Sequence, residues 1–348
     1  MSNVALISDI HFGVRRNNDV FLDSQIRFFK EQFIPTLKEE NIKHIFILGD
    51  LMDNRNVINV KVLSAVYKLF KDDLRDFDIY IITGNHDIFH KNSTEINSVE
   101  FLEALPNVEV YSDIELINHS GKKILLVPWI VDAEAFKKRV SNKNLDCDYC
   151  FGHFEIAGFH MSKTNVCEEG LDPSFFMNNY GATFSGHFHK RSKKNVKGNF
   201  IQYVGSPYQY TRADIGEDRG FIILDVQSGK YRFINNTTSI KFAEIKYPQE
   251  FTKHQIEGNI VDVIVEYDEN YKEELVQQYL GIIQKYNPAL PVTVKIENKI
   301  LDSDVKDIES QTIEELLSEY IQTLDSISNK DKIKKKILEL YKECSRGG

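Results

Sequence analysis

The chain has 348 residues, more than one compact core usually needs, so two or three domains are expected. With 42% hydrophobic and 27% charged residues it has ordinary globular composition, and no run approaches the length of a membrane span. A net charge of −9 excludes gripping a phosphate backbone by bulk charge, so contacts to nucleic acid must be local or come through a partner.

The first residues, MSNVALISDIH, lack a basic stretch followed by a long apolar core. No secretory signal and no membrane partner are expected, and the cytoplasm is the expected compartment. Cys147 and Cys150 form a CxxC, but only Cys167 and Cys344 remain to complete a zinc site. Reduced structural thiols are therefore expected.

In chain order, short apolar runs rich in β-branched residues read as buried strands. They are Val4–Ile7, Ile45–Leu48, Ile79–Ile82, Ile124–Val127, Tyr149–Phe151, Ala182–Phe184, Phe200–Val204 and Phe221–Val226. Helical patterns cover about 22 to 40, with Pro35 as a kink or break, and about 58 to 74. Strands alternating with helices argue for an α/β layered domain, and the later strands for a second sheet. The expected fold is an α/β sandwich of sheets flanked by helices. Beyond residue 240 the texture changes to a strand at 259–267, a helix at 270–286 and a strand at 292–297, a small βαβ-like unit. LDSDVKDIES then reads as a linker before two helical patterns at 312–326 and 331–344. The first opens with Thr312 and Glu315 in capping-box spacing and carries an apolar stripe from Ile313 to Leu324. The expected domains are 1–240, 241–300 and 301–348.

Five apolar runs end in groups that ligate metals. The first runs into Ser8-Asp9-Ile10-His11, the second into Gly49-Asp50, and the third into Gly84-Asn85-His86-Asp87. Two later ones run into Gly152-His153 and Gly186-His187-Phe188-His189. Ligands in open α/β sheets gather at carboxyl ends of strands. One such histidine is more often a core or capping residue, but five ends in series would be a large coincidence. Together they offer three oxygen ligands, Asp9, Asp50 and Asn85, and four imidazoles, His11, His153, His187 and His189. The set suits manganese, iron or zinc without choosing among them. Seven ligands are too many for one catalytic ion with an open position, and enough for two if a carboxylate bridges.

This order of motifs closely resembles the calcineurin-like metallophosphoesterases, whose pattern is DxH, GD, GNH followed by D or E, GH, then GHxH. Over residues 1 to about 230 the text is similar to SbcD-type nucleases of double-strand-break repair and their phage recombination relatives. The stretches that carry this are GHFEIAG at 152–158, GLDPSFF at 170–176, SGHFHK at 185–190, YVGSP at 203–207 and DRGFIILDV at 218–226. The C-terminal third matches that family in layout more than in motif.

The resemblance implies two divalent ions, manganese (Mn2+) foremost, with magnesium or another divalent ion as alternatives. It assigns one ion to Asp9, His11 and His189, a bridge to Asp50, and the second ion to Asn85, His153 and His187. His86 would contact the phosphate and assist the leaving oxygen. Asp87 reads either as a carboxylate that orients an imidazole or as a cap on the turn. Gly84 would let the backbone turn tightly. The resemblance further implies a metal-dependent DNA exo/endonuclease subunit of an SbcCD-like complex, with a capping domain at 241–300. Its helices at 312–344 would dock on an SbcC-type ATPase, within a homodimer that completes a heterotetramer.

In GDLMDNR, Asn54 separates Asp53 from Arg55, unlike the pattern of the superfamily's protein phosphatases. Arg55 reads as a substrate contact or as a solvated, salt-bridged arginine. The basic cluster Lys190, Arg191, Lys193, Lys194 and Lys197 reads as a DNA path beside the site or as a solvated hairpin tip. Tyr208 and Tyr210 read as base-stacking or core aromatics. Two other readings stay open. One is a phosphodiesterase acting on nucleotides or other small esters; the other is a non-catalytic scaffold.

Overall fold

The computed structural model describes residues 2–90, 93–142, 147–161, 165–196, 198–267, 271–298 and 336. Strands β1 (Asn3–Ile7), β2 (His44–Leu48), β3 (Asp78–Ile82) and β4 (Val108–Tyr111) run parallel and side by side. A second sheet holds β5 (Glu115–His119), β6 (Lys122–Val127), β7 (Tyr149–His153), β8 (Ala182–Gly186), β9 (Ser192–Val196) and β10 (Asn199–Tyr203). The chain then returns to the first sheet with β11 (Gly220–Asp225) and β12 (Tyr231–Asn235), antiparallel on the free edge of β1. A third sheet of three parallel strands contains β13 (Phe242–Lys246), β14 (Ile260–Tyr267) and β15 (Thr293–Asn298), with the helix Glu273–Gln284 crossing between the last two.

The apolar runs are continuous because both faces of each central strand are covered. Side chains alternate across a strand, so each run divides between two cores. Val4, Leu6, Phe46 and Leu48 point into the layer between the large sheets, where they meet Ile124, Phe151 and Phe184. The Phe46 and Phe151 rings lie 5.2 Å apart across that layer. Ala5, Ile7, Ile45 and Ile47 face the other way, onto Phe28, Phe29, Phe33 and Val62 of the flanking helices. The outer face of the second sheet is covered by Phe136, Phe154 and Phe176. This is the mixed α/β sandwich flanked by helices that the pattern anticipates.

Register sets what happens at the strand ends. Leu48 of β2 lies opposite Ile82 of β3, and Gly152 of β7 opposite Ser185 of β8. The residues following these strands therefore emerge at one edge of the sandwich.

Pro35 does not break its helix. The helix Asp19–Phe28 widens through a π-type turn at Phe29–Phe33 and continues as Ile34–Glu39, with Pro35 in the first turn of that last segment. There a missing N–H costs little. The edge strands β4, β5, β9 and β12, and β13 of the small sheet, lie outside the apolar runs, because their residues are polar or only partly covered.

Among the described residues no helix is long and apolar enough to cross a membrane. Cys150 and Cys167 are free thiols. The helical patterns at 312–344 lie outside the described residues, apart from Lys336.

Candidate metal centre

The chain leaves β1 and β2 in unusual backbone conformations. Asp9, His11 and Asp50 have φ of 54°, 48° and 54°, and His187 after β8 has 90°. Non-glycine residues rarely adopt such angles, and they persist where surroundings over-determine them. Here the strand ends lace together: Asp9 N–H donates to Gly49 O at 3.0 Å, and His11 N–H to Asp50 O at 3.0 Å. Gly84 has a negative φ, so it is not needed for a left-handed turn. It is needed for space, because a Cβ there would overlap the Asp50 carboxylate.

Two sets of side chains converge. Asp9, His11 and His189 bring ligand atoms within 4.8 Å of one another, as do Asp50, His153 and His187. Asp50 Oδ2 lies 3.6 Å from His11 Nε2 and 3.4 Å from His153 Nε2, between the two sets. Asn85 Oδ1 sits 3.0 Å from both His153 Nε2 and His187 Nδ1. His11 Nε2 and His189 Nε2 face each other at 3.1 Å. All seven expected ligands are thus brought to one place.

The donor chemistry fits cations. His153 Nδ1 donates to Leu48 O at 2.8 Å, which leaves Nε2 with a lone pair aimed at two oxygens. Acceptors crowded this way repel unless positive charge lies among them. Ligands bound at ~2.1 Å around one ion stand ~3.0–3.4 Å apart, close to the spacing observed.

Electrostatics agree. Burial pushes His187 down to about 3 and His11 well below its usual range, so both imidazoles are neutral and able to accept an ion. Burial also opposes charge on His153, but the adjacent Asp50 carboxylate overrides it and raises His153 to about 9. Asp50 itself is held below the carboxylate range by His153 despite its burial. Without an ion, a proton on His153 supplies the charge this pocket demands.

Residues 2–191 match the family described as calcineurin-like phosphoesterase. The chain belongs to that family. It is 29% identical over 336 residues to "Exonuclease subunit 1" of Enterobacteria phage T4, covering 94% of both chains. It is 24% identical to the SbcD component of the SbcCD nuclease of Staphylococcus saprophyticus, covering 76% of this chain and 75% of the relative. It is 26% identical to "Putative phosphoesterase 078R" of Invertebrate iridescent virus 3, over 60% of this chain and 58% of that one.

Around the ligands of this phosphoesterase lie residues of several kinds. The His86 ring meets His11 edge-on at 4.8 Å, and its Nδ1 donates to Asp53 O at 2.7 Å, leaving Nε2 free. The His86 backbone N–H donates to Asp50 Oδ1 at 2.8 Å. The partners of Asp87 are backbone N–H groups: Asp50 at 2.8 Å, Gly84 at 2.9 Å and Met52 at 3.0 Å. This is the turn-capping alternative rather than an imidazole partner.

Sequence reasoning overlooked Asp53, Trp129 and Arg219. Asp53 Oδ1 lies 3.7 Å from His11 Nδ1. Trp129 packs on His187, with ring centroids 4.9 Å apart. Buried Arg219 donates to the carbonyl of His189 and pairs with Asp214. A second Asp three residues after GD was the available signal for Asp53; single Trp and Arg residues carry none.

The tyrosines are core residues. Tyr208 and Tyr210 are 4% and 3% exposed, beneath the ligand loop, and their hydroxyls donate to Ile10 O at 2.9 and 2.8 Å. Neither ring is available to a base.

Lys193 and Lys194 of the basic run lie in the edge strand β9, and Lys190 and Arg191 come just before it. Lys190 pairs with Glu217 at 3.3 Å, and the Arg191 guanidinium lies 4.4 Å from the Phe233 ring centroid. Lys193 and Lys194 rest their ammonium groups 4.1 and 4.7 Å from the centroids of Phe200 and Phe159. Arg55 is half-buried on the loop after the Asp50 turn, with no salt-bridge partner among the described residues.

Proposed function

We propose that this phosphoesterase is a metal-dependent DNA exo/endonuclease subunit of an SbcCD-like recombination and repair complex. The observation that carries the reading is Asp50, placed between two convergent ligand sets in a chain aligned along 94% of its length with a phage exonuclease subunit. In this reading Asp9, His11 and His189 hold one divalent ion, and Asn85, His153 and His187 hold the other. Asp50 bridges them. Manganese is the ion we favour for this mixed oxygen and nitrogen set. Bound there, the ions would activate water and offset phosphate charge.

The chain's own groups do the rest. The laced strand ends fix the ligand carboxylates, so little reorganisation is needed. His86 Nε2, with its other nitrogen tied to Asp53 O, hydrogen-bonds the phosphate or protonates the leaving oxygen.

Residues 1–240 would form the nuclease domain and 241–300 a capping domain that recognises DNA. Residues 312–344 would dock on an SbcC-type ATPase, as an amphipathic helix fills an apolar groove. The chain would pair as a homodimer within that assembly, in the cytoplasm. Arg55, Lys190, Lys193 and Lys194 are the cations proposed to line the DNA path. Arg191, stacked on Phe233, would support that strand.

The test is hydrolysis of labelled linear duplex DNA by the purified chain with manganese, magnesium or chelator, with and without the ATPase. Manganese-dependent shortening is expected. Turnover of a small chromogenic phosphodiester with intact DNA under every condition would overturn the DNA reading. A chain lacking 305–348 should no longer bind the ATPase; if the complex survives, the docking assignment is wrong.

A further inference from the structure

Trp129 is the only tryptophan in the chain, and it stands at the metal centre. Its ring centroid lies 4.9 Å from that of His187 and 5.9 Å from that of His153. Its backbone is fixed: it follows β6, and its N–H donates to Thr83 O at 2.8 Å, two residues before Asn85. The indole is half-buried, packs on the His187 ring and borders two cavities that share Trp129, Ile130 and Val131, the larger of about 370 Å³. The smaller, about 250 Å³, is the one that also reaches His153, with Phe154, Leu171 and Glu155 in its lining. Sites for whole small-molecule ligands run ~300–1,000 Å³, so this one suits a single ring system rather than a nucleotide.

We propose that this cavity is a nucleobase subsite, in which Trp129 stacks on the base of the nucleotide whose phosphate sits at the metal centre. The inference rests on the nuclease reading above and sharpens its substrate. A cavity with an indole and apolar side chains in its lining, beside a phosphate-directed site, matches the two ends of a nucleotide, and indole stacks on every base because every base has a π-face. A cavity of about 250 Å³ matches the size of one base. Its neighbour Ile130 and the facing Leu171 and Phe154 supply the apolar walls. Tyr208 and Tyr210, buried beneath the ligand loop, are unavailable for this role.

A single tryptophan makes the test direct. Emission from the full chain, excited at the red edge and held at constant magnesium, is titrated with a deoxynucleoside monophosphate and, separately, with deoxyribose 5-phosphate. Saturable quenching by the nucleotide and none by the sugar phosphate is the expected result. Equal responses to both would mean the indole senses only phosphate arrival, and would overturn the base subsite. In parallel, Trp129→Leu should raise KM on a single-stranded oligonucleotide about tenfold with metal content unchanged, while Trp129→Phe should stay near the parent. Loss of metal in Trp129→Leu would make Trp129 a wall for His187 and nothing more. If the chain shortens DNA yet shows no base-dependent response, this inference fails alone. If it spares DNA and turns over only small esters, the nuclease reading fails with it.

Discussion

The carboxylate of Asp87 accepts the backbone N–H of Asp50 at 2.8 Å, deep inside the protein. The same oxygen accepts Gly84 N–H at 2.9 Å, and its partner oxygen accepts Met52 N–H at 3.0 Å. One buried carboxylate thus ties the turn after β2 to the turn after β3. Asp87→Asn would aim an amide N–H2 at backbone donors. It should cost about 2–4 kcal/mol in stability and lower ion binding, since Asp50 rides on that turn. Thermal melts and metal analysis check this. An Asp87→Asn protein that melts like the parent would show the clamp to be dispensable.

Ion binding should release a proton. In the ion-free site Asp50 raises His153 to about 9, so His153 is protonated at neutral pH. An ion must displace that proton, because it needs the Nε2 lone pair. Apparent affinity should therefore rise from pH 6 toward 9, by up to about tenfold per pH unit. His187, pushed down to about 3, contributes nothing to this slope. Titrating manganese into weakly buffered protein measures the proton directly. A pH-independent affinity would remove His153 from the ligand set.

Arg219 holds His189, the last candidate ligand in the chain, from behind. Its guanidinium donates to the His189 carbonyl and, at 3.0 Å, to Ser206 Oγ, while its other arm pairs with Asp214. Arg219→Ala leaves a largely buried carboxylate and an unsupported His189. A loss of about 3–5 kcal/mol is expected, with a weakened ion at the Asp9, His11 and His189 set. Arg219→Lys should recover only part, because an ammonium cannot serve as a planar fork. Full recovery by lysine would mean charge alone matters.

The convergence of the seven candidate ligands was readable because each closely follows an apolar run. Parallel register does the remaining work, bringing the ends of β1, β2, β3, β7 and β8 to one edge without any long-range inference. Trp129 follows a strand in the same way, but nothing in its type marks it as functional. Arg219 acts through a carbonyl, which no side-chain pattern shows. The basic run hid β9, since Lys193 and Lys194 hold their ammonium groups over Phe200 and Phe159 instead of alternating with apolar residues. Tyr208 and Tyr210 read as either stacking platforms or core aromatics because sequence gives aromatic type without depth, and their burial decides for the core. Pro35 looked like a break because the π-type turn that accommodates it leaves no signature in composition.

His86 offers the sharpest separation between holding metal and moving a proton. Its ring touches His11, and with His11 and Asp53 it forms a third set of potential ligand atoms. Its Nδ1 is spent on Asp53 O, and its backbone N–H, not its ring, orients Asp50. Removing the ring therefore leaves the bridging carboxylate in place. His86→Ala should keep its full metal content and lose about 10²–10⁴ in phosphodiester turnover. His187→Ala, by contrast, removes an imidazole from the Asp50 and His153 set and should lose metal together with activity. Metal analysis beside single-turnover rates distinguishes the two. Loss of an ion in His86→Ala would place His86 among the ligands and move the proton-transfer role elsewhere.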